Sequence, residues 1–293
     1  MLAQQLVNAL SLGGVYALFA LGFTLIFGVL DVINLAHGAI FMIGAYAALQ
    51  AVLLFKLPIS VAICVALLVS GCAGWLLDYF IFRPLRARRA PQLAPMIATI
   101  GVALSLTSAT QGLFGAENLR FPNDLLPGGA FEIGTVRFTL LELQIIFLSF
   151  FLMALLLWTL KGTQIGRAVR AVAESPRAAA LLGINVEGVF SAATVIASAL
   201  GGMAGVLIAL YANAVFPGMG QPMLHKGIAV VILGGMGDVR GALIGGLFLG
   251  CAEVFSVAYI GSTMRDAAAF GLLFLILLIR PHGLFGQAAQ RRA

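Results

Sequence analysis

Charge is what this chain has least of. Only 10% of its 293 residues are Asp, Glu, Lys or Arg, against 61% hydrophobic, and its mean hydropathy is +1.07. Soluble domains carry roughly 25% charged residues, so the polar groups needed to cover a water-facing surface are missing. A chain embedded in a bilayer is predicted. Cysteine is also scarce. Cys64, Cys72 and Cys251 lie inside apolar runs, an odd number without metal spacing, which argues against a disulfide framework and a zinc site. They read as small buried hydrophobes. The three histidines, His37, His225 and His282, are far apart in sequence. No G-x-x-x-x-G-K-[ST] loop is present, so the chain cannot cradle ATP phosphates by itself. Serine, histidine and acid form no recognisable nucleophile motif. No enzymatic role, resident metal or cofactor is expected. The net charge of +6 fits basic loops at a membrane surface better than a nucleic-acid partner.

Long apolar runs are what the sequence has in excess. Leu6 to Leu30 contains no charged residue, and it lacks the basic start and cleavage pattern of a signal peptide, so it is kept as a mature helix. Further runs cover about 38–55, 57–77, 92–114, 141–160, 189–211, 227–236, 241–258 and 267–279. A spanning helix needs about 20 apolar residues. The run at 227–236 is too short and reads as a broken or re-entrant segment. The fold class predicted is all-α: one domain over 1–293, a polytopic transmembrane bundle of about eight spans with broken or re-entrant helices.

Basic residues orient the bundle. Arg83, Arg86, Arg88 and Arg89 share one loop; Lys161, Arg167, Arg170 and Arg177 share another; Arg280, Arg291 and Arg292 end the chain. The positive-inside rule places all three in the cytoplasm. Residues 115–140 are then external, as are the Lys56 turn and the N-terminus. The glycine pairs Gly201/Gly205, Gly241/Gly245 and Gly246/Gly250 form G-x-x-x-G faces for close packing, within the chain or against a partner. A faint internal likeness joins Gly28-Val-Leu-Asp31-Val, followed by Gly38-Ala-Ile, to Gly235-Met-Gly-Asp238-Val, followed by Gly241-Ala-Leu. Paired helix interruptions of this kind point to a transport pathway.

Polar groups at membrane depth are costly and usually face a cavity or a partner. Asp31, Asn34 and His37 recur at spacings of three, which would put them on one face of a helical turn. Two readings stand: a lining of the translocation path, or a hydrogen-bonded helix break with Asp31 in water. Glu253 stands alone among apolar residues and faces the bundle interior or a partner, while Asp238 and Arg240 pair locally in a turn. The loop at 161–188 is more structured than a connector needs. Residues 164–174 read as a short helix with Arg167 and Arg170 one turn apart. Ser175 can cap a second helix that starts at Pro176 and stops at Gly183. Alanines at 178–180 leave a low surface on which another protein can seat.

The order of short motifs resembles the LivH-like permease of high-affinity branched-chain amino acid importers, within the ATP-binding-cassette transporters. The likeness covers nearly the whole chain: Gly13-Gly-Val-Tyr16-Ala-Leu, Val32-Ile-Asn34-Leu-Ala-His37-Gly38, Arg83-Pro-Leu-Arg86, Thr99-Ile-Gly101, Gly166-Arg167-Ala-Val-Arg170-Ala171, Ala204-Gly205-Val, Leu233-Gly-Gly-Met-Gly-Asp238-Val-Arg240-Gly and Arg280-Pro-His-Gly-Leu-Phe285-Gly. Arg-Ala-Ala-Ala-Leu-Leu-Gly also resembles the coupling motif of importer permeases, with Arg177 where a glutamate would stand. The resemblance implies a bacterial inner-membrane protein that pairs with a second homologous permease subunit, two ATP-binding subunits and an extracytoplasmic substrate-binding protein. It makes Asp31, Asn34, His37 and Gly38 candidates for the substrate path. It makes Gly166, Arg167, Arg170, Ala171, Glu174, Arg177, Ala178 and Gly183 candidates for coupling to the ATPases. Relatives of this type are similar to importers of urea, short amides and other organic acids. An ion-coupled carrier acting alone would require paired intramembrane ions, which the sequence does not offer, and a membrane anchor would tolerate substitution of the path residues.

Overall fold

A computed structural model describes residues 2–91, 93–122, 129–133, 136–280 and 283–285. His282, Arg291 and Arg292 lie outside the described residues. In hydrocarbon every backbone N–H and C=O must find its partner within the protein, and a helix does this segment by segment. The apolar runs accordingly fold as helices: α1 (Leu2–Leu30), α2 (His37–Phe55), α3 (Ile59–Leu77), α4 (Arg83–Ala87), α5 (Leu93–Phe114), α6 (Leu140–Gly162), α7 (Gln164–Glu174), α8 (Pro176–Leu181), α9 (Val186–Ala212), α10 (Gly220–Gly234), α11 (Val239–Tyr259) and α12 (Arg265–Ile279). A π-helical turn, Asp78–Phe82, joins α3 to α4 without a break. Eight segments among the described residues are long and apolar enough to cross a membrane, with α3, the π turn and α4 counted as one. α10 is not among them. Its 15 residues extend about 22 Å at 1.5 Å per residue, short of a hydrocarbon core of about 30 Å. It begins at Gly220 rather than at 227, so His225, which is exposed, and Lys226, which is half-buried, lie on this helix.

α1 is the central helix: 89% of its most apolar stretch is buried, against 17% for α5. It packs on α11, α9, α6 and α10, while α2 and α3 lie on α9 and α5 stays at the periphery. The glycines make this closeness possible. A methyl on Gly13 would stand 3.0 Å from the Leu247 Cα, one on Gly22 2.7 Å from the Ala197 carbonyl, and one on Gly205 would overlap the Phe41 carbonyl. Gly246 lies on Ala17, Gly250 on Gly13, and Gly241 on Gly234. All three G-x-x-x-G pairs therefore pack within this chain.

Two expectations fail here. Cys64 and Cys72 are exposed, not buried, because they fall on the outer face of α3. The faint internal likeness does not mark equivalent turns. Asp31 ends α1 in the left-handed region, φ +54°, whereas Asp238 starts α11 in extended geometry by accepting from the Arg240 and Gly241 N–H groups at 2.7 and 3.0 Å. Arg240 meets Asp238 through its backbone, so no local ion pair between the two is among the described salt bridges. The connector after α5 contains a short antiparallel hairpin, β1 (Ala130–Ile133) with β2 (Val136–Thr139), before a Thr139/Glu142 capping box opens α6.

Candidate translocation path and coupling surface

Three features make up the candidate site: a helix break, a buried charge network and an exposed helical element. The break follows α1. Asp31 closes the helix with its N–H on the Phe27 carbonyl at 2.9 Å, and its side chain is exposed. Residues 31–36 are not helical. Asn34 turns the chain on itself: its Oδ1 accepts from the Ala36 N–H at 3.1 Å, and its carbonyl accepts from the His37 N–H at 3.3 Å. The Leu35 N–H donates to Thr99 Oγ1 on α5 at 3.2 Å. α2 then begins at His37, fully buried, with its ring 4.6 Å from Phe19 and 5.9 Å from Phe23. His37 Nε2 lies 3.3 Å from the Phe19 carbonyl, which can only accept, so the proton sits on Nε2. The ring fits because Gly22 and Gly201 flank it. A methyl on Gly201 would stand 2.6 Å from its Cε1.

The three polar residues are thus not on one face of a helical turn. The left-handed residue at 31 cancels the helical register on which the spacing argument depended. Asp31 lines a cleft of about 770 Å³ together with Glu174, Pro176 and Asp238. Gly38 lines a different cavity, about 260 Å³, between α2, α5 and α10, with Gly220, Gln221 and His225. Asn34 and His37 are buried and are not among the lining residues of either space. Asn34 Nδ2 and His37 Nδ1 have no hydrogen-bond partner among the described residues. Gly38 and Gly220 press their backbones together, so α2 and α10 both start inside the bundle.

The charge network was not visible in sequence. Glu253 on α11 is fully buried, and it is not alone. Lys226 Nζ on α10 donates to Glu253 Oε1 at 2.9 Å and to Tyr16 Oη at 3.2 Å. Tyr16 Oη donates to Glu253 Oε2 at 2.7 Å. Arg265 Nε pairs with the same Oε1, and Asp266 lies 3.3 Å from Lys226 Nζ. The expected lack of paired intramembrane ions is therefore overturned. Lys226 sits one residue outside the apolar run at 227–236, and Arg265 just before the last run. Only packing of α1, α10, α11 and α12 brings them to Glu253. A buried carboxylate without partners is heavily penalised, so a lone Glu among apolar residues is itself the signal that a cation is near. A second cluster ties α4 to α9: Arg86 bridges Asp78 (2.8 Å) and Glu187 (2.7 Å), Ser191 donates to Asp78, and the guanidinium lies 4.7 Å from the Phe190 ring centre.

The 161–188 segment folds as its residues predict. α7 buries Gly166, Val169 and Val172 against its neighbours. Ser175 Oγ accepts from the Ala178 N–H at 3.3 Å, Pro176 takes the first helical position, and Gly183 ends the turn at φ +81°. Arg167, Arg170, Glu174, Arg177, Ala178 and Gly183 are exposed and Ala171 is half-buried. Gly166 differs: a side chain there would overlap the Thr159 and Leu160 carbonyls, so it seats α7 on α6 rather than offering a surface. Leu181 and Leu182, at the end of α8, are 90% and 79% exposed.

The family model for the branched-chain amino acid transport system permease component matches residues 5–280. The high-affinity branched-chain amino acid transport system permease protein BraD of Pseudomonas aeruginosa is 35% identical over 97% of this chain and 95% of its own length. The permease LivH of Escherichia coli is 32% identical over the same shares. The permease LivM of Salmonella typhimurium is 25% identical over 97% of this chain and 71% of its length. No solved structure matches. Eight candidate spans and a match over almost the whole chain make this a multi-pass membrane protein, and it belongs to the branched-chain amino acid transport system permease family.

Proposed function

We propose that the chain is one membrane-spanning half of an ATP-driven importer that moves branched-chain or other hydrophobic amino acids into the cytoplasm. The observation that carries this reading is the α7–α8 element, a capped pair of short helices that leaves Arg167, Arg177, Leu181 and Leu182 exposed. It is built to be gripped. In this reading two ATP-binding subunits seat on α8, a second homologous permease subunit completes the pore, and an extracytoplasmic binding protein delivers substrate at the opposite end. The α7–α8 end and the C-terminus are cytoplasmic, in the inner membrane of a bacterium, and the 1–293 chain acts as one permease domain.

Asp31 shares its cleft with Glu174 and Pro176 of that element, so movement of α8 reaches the helix break directly. Arg86 carries the same movement from Glu187 into α4. The interior starts of α2 and α10 point their N-terminal ends, with a partial positive charge, into the space beside Gly38, which would form part of the path. ATP is bound by the partners, and the chain itself contributes changes in binding rather than bonds made or broken. Reconstitution with the ATPase and binding-protein partners tests the reading. Leucine should stimulate ATP hydrolysis and drive uptake. Stimulation by urea but not by leucine, or uptake without the ATP-binding subunits, would overturn it.

A further inference from the structure

A cavity of about 260 Å³ opens beside the segment that follows α9, at the end of the bundle opposite α7–α8. Its walls are apolar, with Phe41, Ile208, Phe216 and Met223 prominent, and its polar lining includes Tyr16, Lys226 and Arg265. The two carboxylates of the charge network, Glu253 and Asp266, are not among its lining residues. The space therefore faces the cations while the acids lie behind them. Lys226 is committed to Tyr16, Glu253 and Asp266. Arg265 makes its described ion pair, with Glu253, through Nε, and it also lines the cavity. At 46% exposure it stands at the mouth of the cavity. A guanidinium carries five N–H donors in a rigid fork, more than one contact through Nε uses, and such a fork takes a carboxylate through two parallel hydrogen bonds. The size falls just below the roughly 300–1,000 Å³ of drug-sized pockets, which suits a smaller metabolite.

We propose that this cavity binds a small apolar amino acid through its carboxylate, held by Arg265 at the mouth, with the aliphatic side chain against Phe41, Ile208 and Met223. The inference rests on the importer reading for its choice of substrate, and it names the group that is recognised. Uncharged urea and amides lack that group and are not held here.

The test uses the full-length chain in nanodiscs, with Cys64, Cys72 and Cys251 replaced by serine and Ala214→Cys introduced at the cavity wall. The rate of maleimide alkylation is the readout. Leucine at roughly ten times its Kd should slow alkylation about tenfold by mass action. So should 4-methylpentanoate, which keeps the carboxylate and loses the ammonium. Leucinamide and urea should give no protection, and Arg265→Gln should abolish protection by leucine while the thermal transition of the bundle stays in place. Equal protection by leucinamide, protection that survives Arg265→Gln, or no protection by any of them would overturn the site. Failure of alkylation both at Ala214→Cys and at Ala212→Cys would overturn it too, since the cavity would then be closed to solutes. Leucine-stimulated ATP hydrolysis without protection removes this site and leaves the importer reading. Protection without stimulation does the reverse.

Discussion

The seam between α1 and α11 and the α8 helix are both built from small residues, and they use them in opposite ways. In the seam, Gly13, Gly246 and Gly250 let two backbones touch, so the absent side chains are replaced by protein. On α8, Ala178 and Ala180 are exposed and the flanking Leu181 and Leu182 stand in solvent. Small residues therefore mean close packing in the seam, where the neighbour is already present, and an open surface on α8, proposed above as the seat of the ATP-binding subunits. Composition cannot separate the two cases, but substitution can.

The largest effect is expected in the packed region. Gly205→Leu would force a side chain into the Phe41 carbonyl, and it should destabilise the bundle by about 3 kcal/mol or more. Gly101→Leu on α5, where nothing lies within 4 Å, should leave the thermal transition in detergent unchanged. Equal loss in both would erase the contrast between core and periphery. Comparable in size is Glu253→Ala, which strands Lys226 without its buried counter-ion. A cost of about 3–5 kcal/mol is expected, and the paired change Glu253→Leu with Lys226→Met should recover much of it. A double variant no better than the single one would mean that the network supplies something other than charge balance.

Effects on the α8 side are smaller in stability and larger in coupling. Ser175→Ala removes the cap on α8 and should cost about 1 kcal/mol locally, seen as faster amide exchange at Ala178 and Ala179 with the spans unaffected. Leu181→Asp should change stability by less than about 0.5 kcal/mol, yet abolish leucine-stimulated ATP hydrolysis in the reconstituted complex. Retained stimulation would show that the bare leucines seat nothing.

Much of this was legible because local chemistry decides it. The Ser175 cap, Pro176 and Gly183 mark α8 by rules that operate within a few residues, and the fold confirms each position. The helix break was legible as a break but not as a geometry. Spacing of three implies one face only while the helix continues, and the left-handed backbone at Asp31 ends it. Glu253 was read as isolated because its partners are 27 residues away at Lys226 and 12 at Arg265, on other helices. Cys64 and Cys72 were read as buried because apolar runs were equated with burial, an equation that fails where the solvent is lipid.

The sequence alone determined membrane residence, a bundle of about eight spans and the α7–α8 element, since hydropathy and capping are properties of short segments. Only the tertiary structure decided which polar groups meet. It seated His37 between Gly22 and Gly201, split Asp31 from Gly38 into separate spaces, and gathered Tyr16, Lys226, Glu253 and Arg265 from four helices. The physical reason is that a helix satisfies its own backbone wherever it lies. A buried charge cannot satisfy itself, and where its partner comes from is set by which helices the glycines allow to touch.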